Sequence, residues 1–269
     1  MKPNEETLPW RIAVYTAVPA ALGAFTIFGY FFGGAALSAV IAPPFNREYG
    51  LLENLQALFL AGIAVTAAVG WKLQSTRIRK ATVAAIFLGA LFVLLEELDY
   101  GTHYFYFFFR APLQDAVAGP ALNLHNIGDN TSRFKHVGDT LMVVLFVVFP
   151  LFFFRSRNRI VAFLRPDRMI VAGMALMFVF SKGAHWLNNH FPPHPNPLEY
   201  RISEFRELLI YYLFLAYFYV FIFKTPPRPG DPVAVPVEGS SHPSGDPGAT
   251  DGGGDGAGQR SGRSSTTRS

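Results

Sequence analysis

The sequence predicts an all-α fold: a polytopic membrane helix bundle of about six transmembrane helices, with both termini in the cytoplasm. Three observations lead there. Hydrophobic residues make up 51% of the 269-residue chain and charged residues only 16%, where a soluble domain carries about a quarter. The apolar residues come in blocks long enough to cross a bilayer, which takes about 20 residues of helix. The basic residues gather in alternate connections between those blocks, as membrane orientation requires.

The blocks are read as spans at about 12–33, 51–71, 81–103, 139–154, 169–190 and 204–223. Backbone polar groups cannot stay unpaired in hydrocarbon, so each block must be helical. The first block exceeds the 7–15 apolar residues of a signal peptide and is read as a retained helix. Gly29-Tyr30-Phe31-Phe32-Gly33 within it spaces two small residues for close helix packing.

The flanks set the orientation. Lys72, Arg77, Arg79 and Lys80 join spans 2 and 3; Arg155, Arg157, Arg159, Arg165 and Arg168 join spans 4 and 5; Lys224 and Arg228 follow span 6. The opposite connections hold fewer cations, so the basic side is expected to be cytoplasmic. From about Thr225 onward Gly, Pro, Ser, Asp and Thr dominate. Such a stretch buries too little apolar area to offset its ordering entropy. The division is therefore residues 1–224 as the membrane domain and 225–269 as a disordered cytoplasmic tail.

Composition also excludes chemistry. The chain has no Cys, which rules out disulfides, thiol nucleophiles, Cys-ligated zinc and iron–sulfur clusters. The net charge of +4 lies in short loops and does not point to nucleic acid. Membrane lipids are the partners the composition implies, and protein partners are not indicated.

Ionisable groups inside a span cost about 2.5–3.5 kcal/mol each at the centre, so their depth is informative. Glu96 follows Lys80 by 16 residues, about 24 Å of helix. His185 follows Arg168 by 17, about 25 Å. Asp139 precedes Arg155 by 16 residues, Glu207 precedes Lys224 by 17 and Glu53 precedes Lys72 by 19. All five fall in the outer part of a ~30 Å hydrocarbon core.

Four constellations supply that layer. Glu96-Glu97-Leu98-Asp99-Tyr100-Gly101-Thr102-His103 would place Glu96, Asp99 and His103 on one helix face. Asn123-Leu124-His125-Asn126 lies in the following outer loop, where a turn could tip His125 over the bundle. Ser181, His185 and Asn189 are successive turns apart on span 5. No G-x-S-x-G elbow surrounds Ser181, so His185 is read as a metal ligand instead. Glu204, Glu207 and Tyr211 follow a Pro-rich connection and share a face of span 6, and Arg201 and Arg206 are candidate partners for the acids. A polar interfacial network, with every acid paired, is the plain alternative reading of the layer.

The stretch Glu96-Glu97-Leu98-Asp99-Tyr100-Gly101-Thr102, followed by Asn123-Leu124-His125-Asn126, resembles a group of uncharacterised bacterial multi-spanning proteins. Those carry Glu-Glu-x-x-aromatic-Gly-Gln at a helix end and then Asn-Leu-His-Asn. Here Asp99 stands where the group has Ser and Thr102 where it has Gln. The resemblance implies that Glu96, Glu97, Gly101, His125 and Asn126 form one site. It also implies a bacterial inner membrane.

The leading expectation is a membrane enzyme, a metal-dependent lipid hydrolase or oxidase, acting on a lipid or lipid-linked substrate at the non-cytoplasmic face. Glu96, Glu97, Asp99, His125 and Glu204 are the catalytic candidates. Glu96, His125, His185 and Glu207 are the candidate ligands of a divalent metal, zinc or iron, since imidazole and carboxylate suit such ions. Glu53, Asp99, His103, Asp139 and Glu204 are expected to support them. The alternatives are a proton- or cation-coupled transporter and a non-catalytic assembly subunit.

Overall fold

Every regular element of the computed structural model is helical among its described residues, which are 8–45, 49–98, 138–153, 155–156, 161 and 164–223. The elements are α1 (Leu8–Phe32), α2 (Gly34–Ile41), α3 (Leu51–Trp71), α4 (Arg77–Glu97), α5 (Gly138–Phe152), α6 (Ile170–His190) and α7 (Glu204–Phe223). Five of them, α1, α3, α4, α6 and α7, are long and apolar enough to cross a membrane; α5 is a shorter apolar helix. The tail from Thr225 onward lies outside the described residues.

The spans begin and end close to where the apolar blocks predict. The largest difference is α4. It starts at Arg77, where Thr76 caps it by accepting a hydrogen bond from the Arg79 N–H at 3.3 Å. It ends at Glu97, with Leu98 already outside helical geometry. Glu96 and Glu97 are therefore the last two residues of the helix. The proposed common face with Asp99 and His103 lies outside the described residues.

Two helices contain a widened π turn, Ala13–Ala17 in α1 and Val144–Val148 in α5. Each sits just before a proline, Pro19 and Pro150. A proline removes an N–H donor and crowds the carbonyl four residues back. Here the Val18 N–H reaches Ala13 O, and the Phe149 N–H reaches Val144 O, five residues back. The wider turn absorbs the crowding without breaking the helix.

The helix α7 is the centre of the bundle. In its most apolar stretch 44% of residues are buried, against 11% in α4, which is peripheral. It runs parallel to α3. The Gln56 Nε2 donates to Glu204 O at 3.1 Å, and the Gln74 Nε2 donates to Ile222 O at 3.1 Å. Both pairs are 148 residues apart, so the two helices keep register over their whole length. Between them Gly70 lies so close to Ile222 that any Cβ would collide with its side chain. The same logic makes α1 parallel to α6. Arg11 pairs with Asp167 near the start of both, with Nε–Oδ2 at 2.6 Å and Nη2–Oδ1 at 2.7 Å, and the tilted rings of Phe32 and Phe191 lie 6.4 Å apart at the far end.

The second half of the first apolar block folds back. Gly34 takes a φ of +73° that side chains disfavour, and α2 then returns along α1. Leu37 and Ile41 pack onto Gly29, with the Ile41 Cδ1 2.7 Å from where a Cβ would sit. The small-residue pair of the sequence is thus used within the chain, by its own fold-back helix.

Candidate functional site

Start from the helix ends. The first turn of α7 carries Glu204 and Glu207, which suits the positive end of its dipole. The last turn of α4 carries Glu96 and Glu97, where the dipole opposes negative charge. Their placement needs other partners. The Tyr211 Oη, one turn beyond Glu207, donates to the Glu97 Oε1 at 2.6 Å. A short hydrogen bond to a carboxylate is among the stronger kinds. Glu97, Glu207 and Glu204 all lie within electrostatic range of that phenol. Glu96 is 5% exposed and Glu204 7%, so two carboxylates are sunk into the protein at this end.

Gln56 completes the inner wall. It is fully buried, because α3 and α7 pack in register around it. Its Nε2 donates both to Glu204 O and to Glu204 Oε2, each at 3.1 Å. Its Oε1 has no hydrogen-bond partner. On the other side Arg206 reaches Asp139 of α5, Nη1–Oδ2 at 3.5 Å. The contacts Gln56–Glu204, Tyr211–Glu97 and Arg206–Asp139 draw α3, α4 and α5 onto the first two turns of α7. The polar layer expected from helix rise is therefore assembled at one end of the bundle, around α7.

His185 is not part of that wall. It is exposed on α6, and the charged groups nearest to it in effect are Lys182 and Arg206. A metal ligand flanked by two cations would need compensating anions. Among the described residues no three His, Asp or Glu side chains are grouped to hold a metal ion. His125, Asp99 and His103 lie outside the described residues. Glu53 is half-buried in the first turn of α3, at the same end. Ser181 is half-buried on α6, four residues before an exposed histidine.

A second polar group holds the rim together. Tyr30 of α1 is 1% exposed. Its Oη donates to Asn196 Oδ1 at 2.8 Å and accepts the Leu198 N–H at 3.2 Å. Asn196 Nδ2 in turn donates to Asn188 Oδ1 at 3.0 Å. This network fastens the Pro-rich connection between α6 and α7 onto α1. Sequence reasoning missed Tyr30 and Asn196, since a lone Tyr in an aromatic run gives no signal. It also missed Gln74, at the other end, whose Nε2 donates to Gly70 O at 2.8 Å as well as to Ile222 O. One amide thus caps the last carbonyls of two parallel helices.

Five apolar helices of spanning length suggest a multi-pass membrane protein. No family model, no curated protein and no solved structure matches the chain.

Proposed function

We propose that this chain is a six-helix inner-membrane enzyme that acts on a lipid or lipid-linked substrate at the non-cytoplasmic face. In this reading α5 is the sixth span, both termini are cytoplasmic, and residues 225–269 form a cytoplasmic tail. The observation that carries the proposal is the Tyr211–Glu97 hydrogen bond at 2.6 Å, set within electrostatic range of Glu204 and Glu207. A phenol held against a carboxylate, next to further acids in a low-dielectric wall, is equipped for proton transfer. Glu97 and Tyr211 would be the acid–base pair, with Glu96 and Glu204 shaping the field around them.

The divalent metal expected at Glu96, His125, His185 and Glu207 remains part of the proposal, with His125 outside the described residues. No step here is routed through a metal.

The distribution of buried polar groups supports enzyme over transporter. Among the described residues the buried polar side chains are Thr26, Ser38, Gln56, Gln74, Glu96 and Glu204. Thr26 bonds its own helix at Leu22 O and Gly23 O, and Gln74 caps helix ends. None marks a polar route through the half of the bundle opposite the acids, and a transport path needs polar groups on both sides of the midplane.

The test is turnover. Purified protein in vesicles of bacterial polar lipid is followed by mass spectrometry, and the same preparations are assayed for metals. The expected result is a new lipid product, reduced about 10²–10⁴-fold in Glu97→Gln and Tyr211→Phe, as for loss of a general acid or base. Product formation unchanged in both variants would overturn the assignment. Stoichiometric metal lost in Glu96→Ala and His185→Ala would restore those residues to the centre of the chemistry.

A further inference from the structure

The C-terminal half of α6 carries charge on an open surface. Lys182 follows Arg168 by 14 residues, about 21 Å of helix, which lies inside a ~30 Å hydrocarbon core. Its side chain is exposed, and its ammonium sits 5.5 Å from the centroid of the Phe178 ring. Among the described residues no carboxylate pairs with it. His185 is one turn further on and also exposed. The charged groups that act on it are Lys182 and Arg206, both cations. Arg206, in the first turn of α7, meets Asp139 through Nη1 at 3.5 Å, and both side chains are partly open, 26% and 39% exposed. Two cations and an imidazole thus stand against one carboxylate, on a surface with room for a ligand. Charge at this depth is unfavourable unless it is paired or reaches the interface.

The same face of α6 is apolar on the deeper side of Lys182. Phe178 and Val179 are 59% and 62% exposed. Beyond Lys182 and His185 come Trp186, Asn189 and His190, all exposed, and tryptophan favours headgroup level. The surface therefore passes from apolar to cationic to polar, the order in which a phospholipid presents its chains, its phosphate and its headgroup. From that order and the gathering of Lys182, His185 and Arg206, we infer that this surface binds a phosphate, as carried by a phospholipid whose chains lie along Phe178 and Val179. Lys182 supplies a point charge, Arg206 a guanidinium and His185 a ring N–H, and phosphate oxygens accept from all three. An amine would meet like charge here. The inference goes beyond the acid–base reading, since none of these residues belongs to the Glu97–Tyr211 pair. It concerns binding, so it stands or falls apart from turnover.

The experiment uses the full chain in a neutral detergent and reads its thermal midpoint, since a ligand that binds only the folded state raises it. The probes are dihexanoyl phosphatidylglycerol, dihexanoylglycerol, which has the same chains and no phosphate, and glycerol phosphate. The phosphatidylglycerol should raise the midpoint saturably, and the phosphate-free lipid should not. Lys182→Met keeps the stem and removes the charge. It should need about tenfold more ligand for the same shift, the worth of one charged hydrogen bond, and Lys182→Arg should restore the wild-type curve. The basic connections at the other end also attract anionic lipid. Lys72→Met, exposed at that end, should therefore leave the curve in place. A matching shift with glycerol phosphate identifies the phosphate alone as the ligand, and a shift with the lipid alone identifies the phospholipid. Equal shifts from the lipids with and without phosphate, no shift from any probe, or one curve shared by wild type and Lys182→Met would overturn the inference. The comparison of lipids needs only the wild type, so it decides even where a variant fails to fold.

Discussion

At the scale of single residues, two tyrosines show how much an apolar run conceals. Tyr30 and Tyr212 both sit in aromatic stretches that give no sequence signal. Tyr212 Oη donates to Val14 O at 2.8 Å, a single bond to a carbonyl that can find other partners. Tyr30 holds both a donor and an acceptor of the outer connection, Leu198 N–H and Asn196 Oδ1. Tyr30→Phe should therefore lower stability by about 1–3 kcal/mol, the cost of buried groups left unsatisfied. Tyr212→Phe should cost about 0.5–1.5 kcal/mol, the net worth of one bond. Thermal midpoints of the two variants in one detergent check the order, and an equal loss would mean that the rim network is not holding the connection. The acids were the opposite case. Glu96, Glu97, Glu204 and Glu207 stood out in the sequence because charge in hydrocarbon is expensive. Their depth followed from helix rise alone. What could not be read was which side each helix turns: His185 is exposed on α6, whereas Glu96 and Glu204 are buried.

At the scale of elements, helix identity was legible and helix pairing was not. Length and apolarity mark a span without reference to its neighbours. Pairing depends on which small surfaces meet, and α3 against α7 is decided by Gly70 under Ile222 and by two glutamines at the two ends. The fold-back of α2 was hidden for the same reason: Gly33-Gly34 reads as a break, but the direction of return depends on Leu37 and Ile41 finding Gly29. Parallel neighbours bring two helix C-termini together, with their partial negative charges side by side. Gln74 answers this by donating to Gly70 O and Ile222 O at once. Gln74→Leu keeps the bulk and removes both bonds. It should cost about 1–3 kcal/mol and loosen the ends of α3 and α7 together. Hydrogen exchange would report faster exchange in the last turns of both helices in the variant. Exchange confined to one helix would show that the amide is not a shared cap.

At the scale of the whole molecule, the two ends differ in charge. The acids Glu53, Glu96, Glu97, Glu204 and Glu207 gather at one end, and the connections at the other hold Lys72, Arg77, Arg79, Lys80, Arg155, Arg165 and Arg168. One physical rule covers the second set: cations near span ends stay on the cytoplasmic side. In the proposed orientation the first set faces away from the cytoplasm, and a substrate would come from the outer leaflet or the space beyond it. The parallel pairing of α1 with α6 and α3 with α7 fits this, because both members of each pair start from the same end. It requires α5 to cross despite its 15 residues, about 22 Å of helix, which a local thinning of the bilayer would accommodate. Fusions decide the matter. A reporter active only outside the cytoplasm, joined after Phe223, should be silent, and the same reporter inserted between α6 and α7 at Pro195 should be active. A cytoplasmic reporter should give the reverse pattern. If α5 did not cross, α6 would enter from the opposite side, and both signals would invert. The acids would then be presented on both faces, and the proposal of a single outer-leaflet site would fall.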